Sequence, residues 1–157
     1  MMITISTTKI WDNEKHDTII DVRSPSEFNE DHIPGAINLP VLDDEERKKI
    51  GIIYKKKSPF EAKVLGSSLV AKNISEHLIK KLKNKNGAWR PLVYCWRGGQ
   101  RSKALCLIMQ EIGWRVSQLE GGYKHYRNDV TKKLQKLSPK LKIILISEKL
   151  AQEKLDY

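Results

Sequence analysis

The chain has 157 residues, 39% hydrophobic and 31% charged, with a formal net charge of +10. That length suits one domain burying roughly 70% of the surface its unfolded form exposes, and leaves no room for a second independent domain. No apolar run nears the ~20 residues that span a bilayer, which argues against a membrane protein. The opening Met1-Met2-Ile3-Thr4-Ile5-Ser6 lacks the charged and apolar regions of a secretory signal. Two cysteines, eleven positions apart, make a poor disulfide framework, so a reducing, cytoplasmic setting is expected. Basic residues gather at Arg47-Lys48-Lys49, Lys55-Lys56-Lys57, between 80 and 85, and from 124 to 142. Such a surplus suits a polyanionic partner, because each neutralised phosphate releases counterions; solvated helix faces are the plainer reading.

Short β-branched runs alternate with helical patterns, which predicts an α/β fold with a mostly parallel central sheet flanked by helices. In chain order, strands are expected at residues 3–5, 18–22 and 36–39. From 59 to 83, Leu65, Leu69, Ile74, Leu78 and Leu82 recur near the helical period, with Gly66 marking a break or a close contact. A buried strand at 92–95 then delivers Cys95 to the carboxyl edge of the sheet, where open α/β folds bind ligands. Between Cys95 and Gly113 a helix carries Leu105, Ile108, Met109 and Ile112, and a strand at 115–119 follows. The last helix runs from Tyr123 to Leu137, with Tyr123, Tyr126, Val130, Leu134 and Leu137 on one stripe. Ser138-Pro139 ends it, since the residue before a proline avoids the helical region. Residues 142–147 read as a last strand or a docked tail.

Chemistry concentrates in Cys95-Trp96-Arg97-Gly98-Gly99-Gln100-Arg101-Ser102. Gly98 and Gly99 permit unusual backbone angles and inward-facing N–H groups. The helix starting near Gln100 adds its positive end, and Arg97 and Arg101 add full charges. All of this favours an anion at the loop centre, beginning with Cys95 itself. A free thiol near ~8.5 is only slightly ionised at neutral pH, whereas such surroundings can bring it to ~3.5–7.5. The loop is thus predicted to hold a reactive, accessible thiolate and to cradle an anionic donor or leaving group. Cys106, among Leu105, Leu107 and Met109, reads as an inert core residue.

Asp21-Val22-Arg23, Glu27-Phe28 and the run from His32 through Pro34-Gly35 to Asn38 resemble the opening motifs of rhodanese domains; the cysteine loop and Glu120-Gly121-Gly122-Tyr123 complete the set in order. Asn38-Leu39-Pro40 through Arg47, Gly51, Tyr54-Lys55 and Cys95-Trp96-Arg97-Gly98-Gly99 narrow the likeness to the rhodanese-like part of the tRNA 2-selenouridine synthase family. The resemblance implies a rhodanese-like domain over 1–140 and essentiality of Cys95. It implies replacement of sulfur by selenium in the wobble 2-thiouridine of tRNA, with selenophosphate as donor, and geranylation from geranyl diphosphate. Members usually continue into a P-loop domain. Here residues 141–157 hold no glycine loop, so either a separate P-loop protein is the partner or the chain is a shortened one.

The remaining motif residues have plain structural readings beside the functional ones. Arg23 and Glu27, four apart, are expected to pair across a turn. Asp21 either steadies the cysteine loop or caps the adjoining turn, and His32 either fixes its own loop or acts as a base. Trp96 stacks on a base or packs over the loop, and Lys55, Lys56 and Lys57 track tRNA phosphates or form a solvated turn. No Cys/His spacing suits a metal. Two other functions compete. Cys95-x5-Arg101 followed by Ser102 is the spacing of cysteine phosphatases and arsenate reductases, although Tyr94 replaces the histidine usual there and Trp96 and Arg97 crowd the mouth. The other is a non-catalytic module that recruits tRNA or the P-loop partner.

Overall fold

The computed structural model describes residues 4–10, 15–140 and 142. Five strands, β1 (Ser6–Thr8), β2 (Thr18–Asp21), β3 (Ile37–Asn38), β4 (Pro91–Tyr94) and β5 (Ser117–Leu119), form one sheet in the order β1-β5-β4-β2-β3. Every pairing is parallel. Five helices cover it: α1 (Pro25–Glu30), α2 (Asp44–Lys56), α3 (Pro59–His77), α4 (Gln100–Ile112) and α5 (Gly122–Leu137). A parallel sheet must be protected on both faces, and strand side chains alternate between them. Val93 accordingly joins Ile20, Leu105 and Met109 on one side, while Leu92 and Tyr94 join Leu119 and Tyr123 on the other. Asp21 lies beside Tyr94 and Gln118 beside Val93, so the ends of β2 and β5 flank the chain just before Cys95.

The first strand lies at Ser6–Thr8 rather than at 3–5. Ile5 packs against the core instead, and Gln110 Nε2 donates to Thr4 O at 3.2 Å, which commits this segment to α4. Two helices had no counterpart in the apolar periodicity. α2 carries its signal in its caps: Asp43 Oδ1 accepts from Glu46 N at 2.7 Å, and Asp43 N donates to Glu46 Oε2 at 3.0 Å, a capping box. α1 begins with Pro25 in its first turn, and Ser24 N donates to Glu27 Oε2 at 3.2 Å. In α3, Gly66 breaks nothing; a Cβ there would rest 3.7 Å from Ile50 on α2. The helix passes into a π turn at Leu78–Leu82, one residue short of the expected end.

The apolar stripe of α5 is buried only at its start. Tyr123 is 1% exposed, but Leu134 and Leu137 are 59% and 52% exposed. At 1.5 Å per residue the helix is about 24 Å long and outruns β5, which spans about 10 Å. The α-helix ends at Leu137, but Ser138 does not leave the helical region ahead of Pro139: it has φ −49° and ψ −45°, and the chain tightens into a 3-10 turn over Ser138–Lys140. The strand or tail assigned to 142–147 lies outside the described residues, apart from Lys142.

Candidate active site

β4 ends at Tyr94 and α4 begins at Gln100, with Gly99 as its N-cap. The intervening turn needs a left-handed residue, which Gly98 supplies at φ +66°. A Cβ on Gly98 would also stand 3.0 Å from Leu119 O. Cys95 Sγ accepts from Gly99 N at 3.2 Å and from Ser102 Oγ at 3.2 Å. The sulfur is thus held at the positive end of a 13-residue helix.

The sequence pointed to an open thiolate ringed by amides and flanked by two guanidinium groups. The arrangement differs. Cys95 is 3% exposed and Ser102 is fully buried. Among the described residues one amide and one hydroxyl donate to the sulfur. Arg101 turns instead to Glu27, its Nη1 2.8 Å from Oε2, and Arg97 is exposed. The cause is Glu27, which is 15% exposed and needs countercharge. Arg101 provides it, together with Arg47 at 3.0 Å. Burial opposes the charge on Glu27, yet the hydrogen bond and charge of Arg101, aided by Arg47, hold its carboxyl below the ordinary range.

Arg23 does not pair with Glu27. Its Nη2 lies 2.7 Å from Asp21 Oδ2 and 2.7 Å from Asp31 O, and its guanidinium stacks 4.0 Å above the Tyr123 ring. A fully buried carboxylate at the end of β2 takes the nearest cation, and Arg23 is two residues away. Asp21 Oδ1 also accepts Arg23 N at 2.8 Å, so of its two readings it caps the turn. His32 fixes its loop: Nδ1 sits 2.9 Å from Phe28 O and the rings stack at 3.9 Å.

Packing from β5 and α5 completes the site. Tyr123 N donates to Cys95 O at 2.9 Å and Lys124 N to Trp96 O at 3.0 Å. Gly122 makes this approach possible, because a Cβ there would stand 2.4 Å from Cys95 O and 2.5 Å from Gly98 N. Trp96 packs against α5, its ring 5.8 Å from Tyr123, whose hydroxyl donates to Asp31. Gln118 reaches across from β5, with Nε2 2.7 Å from Ser102 Oγ and 2.9 Å from Gly98 O. Sequence reasoning missed Gln118. The available signal was an uncharged polar residue inside a buried strand two positions before the Glu120-Gly121-Gly122 turn. Cys106 is fully buried, and burial first, then the charge of Cys95, pushes its thiol up to about 12.

Beside the start of α4 lies a cavity of about 610 Å³ between α2, α3 and α4. Ile50, Val70, Ile74, Ala104 and Ile108 make its walls, while Arg47, Lys55, Lys63 and Arg101 stand among its lining residues. Lys55 and Lys56 form the last turn of α2 and Lys57 its C-cap; all three are exposed, and there they also complement the negative helix end. Among the described residues no cluster of His, Cys, Asp and Glu is placed to hold a metal ion, and no helix is long and apolar enough to cross a membrane.

The family model described as the rhodanese-like domain matches residues 7–129. The chain belongs to the rhodanese-like family. This rhodanese-like domain is 38% identical over 137 residues to the tRNA 2-selenouridine synthase of Bdellovibrio bacteriovorus, covering 82% of the chain and 34% of that protein. It is also 38% identical over 136 residues to the enzyme of that name from Sulfurovum sp., covering 82% and 35%. The domain therefore spans about a third of the length of the curated relatives it matches. A solved relative is the N-terminal domain of a Clostridium difficile 630 protein described as ATP/GTP binding. It shares 37% identity and a TM-score of 0.68, covering 80% of this chain and 98% of that one.

Proposed function

We propose that this rhodanese-like domain is the cysteine-bearing component of a tRNA 2-selenouridine synthase. In this role Cys95 is the nucleophile or chalcogen carrier during replacement of sulfur by selenium in wobble 2-thiouridine. The observation that carries the reading is the sulfur of Cys95 facing Gly99 N–H and the Ser102 hydroxyl at the start of α4. Matching relatives that bear this name support the tRNA-modifying role. The net charge of +10 suits tRNA, with Lys55, Lys56 and Lys57 as candidate phosphate contacts. Trp96, Arg97, Gly98, Gly99 and Gln100 would form the donor side, facing selenophosphate, while Arg101 stays with Glu27 and the fully buried Ser102 supports the sulfur. Geranyl diphosphate is the second co-substrate; the apolar cavity, with Lys55 and Lys63 among its lining residues, suits a short hydrocarbon chain with an anionic head. A P-loop part corresponding to the rest of the relatives' length would act together with this domain.

The test combines 2-thiouridine-containing tRNA, selenophosphate, this chain and the remaining two-thirds of the Bdellovibrio protein expressed separately. Nucleoside mass spectrometry should find 2-selenouridine with the wild-type chain and none with Cys95→Ser. Equal product from both chains would reduce the domain to a recruiting module.

A further inference from the structure

Ser102 has one hydroxyl hydrogen and two acceptors at the same distance, Cys95 Sγ and Gly99 O, each 3.2 Å away. The choice between them is made from β5. Gln118 is 6% exposed, and its amide nitrogen lies 2.7 Å from Ser102 Oγ, 2.9 Å from Gly98 O and 3.4 Å from Gly99 O. Carbonyl oxygens only accept, so the part of the amide facing them must be the NH₂ group. Its two hydrogens go to the two nearest acceptors, Gly98 O and Ser102 Oγ. Ser102 Oγ therefore accepts from Gln118, and its own hydrogen remains free to donate. Gly99 O already takes Lys103 N–H at 3.1 Å. A charged sulfur is the stronger acceptor of the two.

We propose that Gln118 is a positioning residue: by donating to Ser102 Oγ it directs the serine hydroxyl onto Cys95 Sγ and stabilises the thiolate from β5. With Arg101 bound to Glu27, this relay supplies one of the two donors that the sulfur has among the described residues. The inference rests on Cys95 being the working nucleophile. Charged or ionisable groups around the loop include Tyr94 and Arg97 beside and within it, Arg101, Lys103 and Cys106 on α4, Glu27 on α1 against Arg101, Glu120 after β5, and Tyr123, Lys124 and His125 on α5. Gln118 carries no charge, so replacing it by an apolar residue leaves the local charge unchanged while removing its bonds to Ser102 Oγ and Gly98 O.

The experiment is the pH dependence of Cys95 alkylation by iodoacetamide, read by peptide mass, in the full chain. Ser102→Ala should raise the midpoint by about one to two pH units, the size of a hydrogen bond to a charged acceptor. Ser102→Thr, which keeps the hydroxyl, should stay near wild type. Gln118→Leu should raise the midpoint by about half a unit alone and add nothing on top of Ser102→Ala, because coupled groups are not additive. Gln118→Glu should shift it at least as far as Ser102→Ala, since its carboxylate would draw the hydroxyl away from sulfur. In the unmutated chain, the Gln118 side-chain amide signals in nitrogen–proton NMR should titrate together with Cys95, a readout that needs no variant to fold. An unmoved midpoint in Ser102→Ala, additive shifts in the double variant, or amide signals flat across the Cys95 titration would each overturn the proposal. The assay uses neither tRNA nor selenium, so failure of the transfer reaction leaves it standing, and the reverse also holds.

Discussion

Gly122→Ala isolates the contact on which the cysteine loop depends. The added methyl would stand 2.4 Å from Cys95 O, 2.5 Å from Gly98 N and 2.9 Å from Arg97 C, all of them backbone atoms that no rotamer change can move. Gly122 also has φ +62°, a left-handed angle costing an alanine about 1–2 kcal/mol. Relief of the clash must lift α5 from the loop, breaking Tyr123 N to Cys95 O and Lys124 N to Trp96 O, at about 1 kcal/mol each. Overpacking adds about 1–3 kcal/mol, for a total of about 4–7 kcal/mol. Gly113→Ala is the control: it has φ +99° but nothing within 4 Å of its Cβ, so it should lose only the angular part. Urea unfolding of both variants should separate them by about 3–5 kcal/mol, and Cys95 alkylation should change in Gly122→Ala alone. A Gly122→Ala chain within about 1 kcal/mol of Gly113→Ala, alkylating like wild type, would refute the claim that α5 clamps the loop.

Arg23→Met should destabilise by about 3–5 kcal/mol, because it strands the buried Asp21 carboxylate; adding Asp21→Asn should recover much of the lost melting temperature. The Glu27 carboxyl titrates below its ordinary value near 4.5, so its pairing contributes stability above that pH that is lost as pH falls through the lower folded value. Thermal melts from pH 6 down to 2 should thus show Glu27→Gln losing less stability than wild type on acidification, the gap closing at the acid end; parallel curves would contradict the Arg101 and Arg47 pairing. Gly51 lies within α2 with open space at its Cβ, so Gly51→Ala should stabilise by up to about 1 kcal/mol in the same urea assay. Hydrolysis of an aryl phosphate should be negligible and independent of Cys95, since Arg101 is bound to Glu27; brisk Cys95-dependent release would favour the phosphatase reading.

The architecture was legible where residues announce their neighbours through spacing. The run Pro91 to Tyr94 is apolar throughout because a central parallel strand is covered on both faces, and the glycines at 98 and 122 mark turns that other residues cannot make. α2 escaped notice because its apolar residues, Ile50, Ile52, Ile53 and Tyr54, crowd one half and its N-terminal signal lies in the Asp43–Glu46 cap. Charge pairing was misassigned for a different reason. Four-residue spacing linked Arg23 to Glu27, but the fold brings Arg47 and Arg101, 20 and 74 positions away, onto that carboxylate. Distance along the chain carries no record of such contacts. The same holds for Gln118, whose role depends on β5 lying beside β4.

Intact-mass spectrometry of the chain after incubation with thiosulfate tests the central claim most directly. The Cys95 thiolate should displace sulfite, leaving a persulfide and a protein heavier by one sulfur atom, removable by thiols and absent in Cys95→Ser. A wild-type chain that gains nothing, or a Cys95→Ser chain that gains the same mass, would mean that this sulfur does not carry chalcogen.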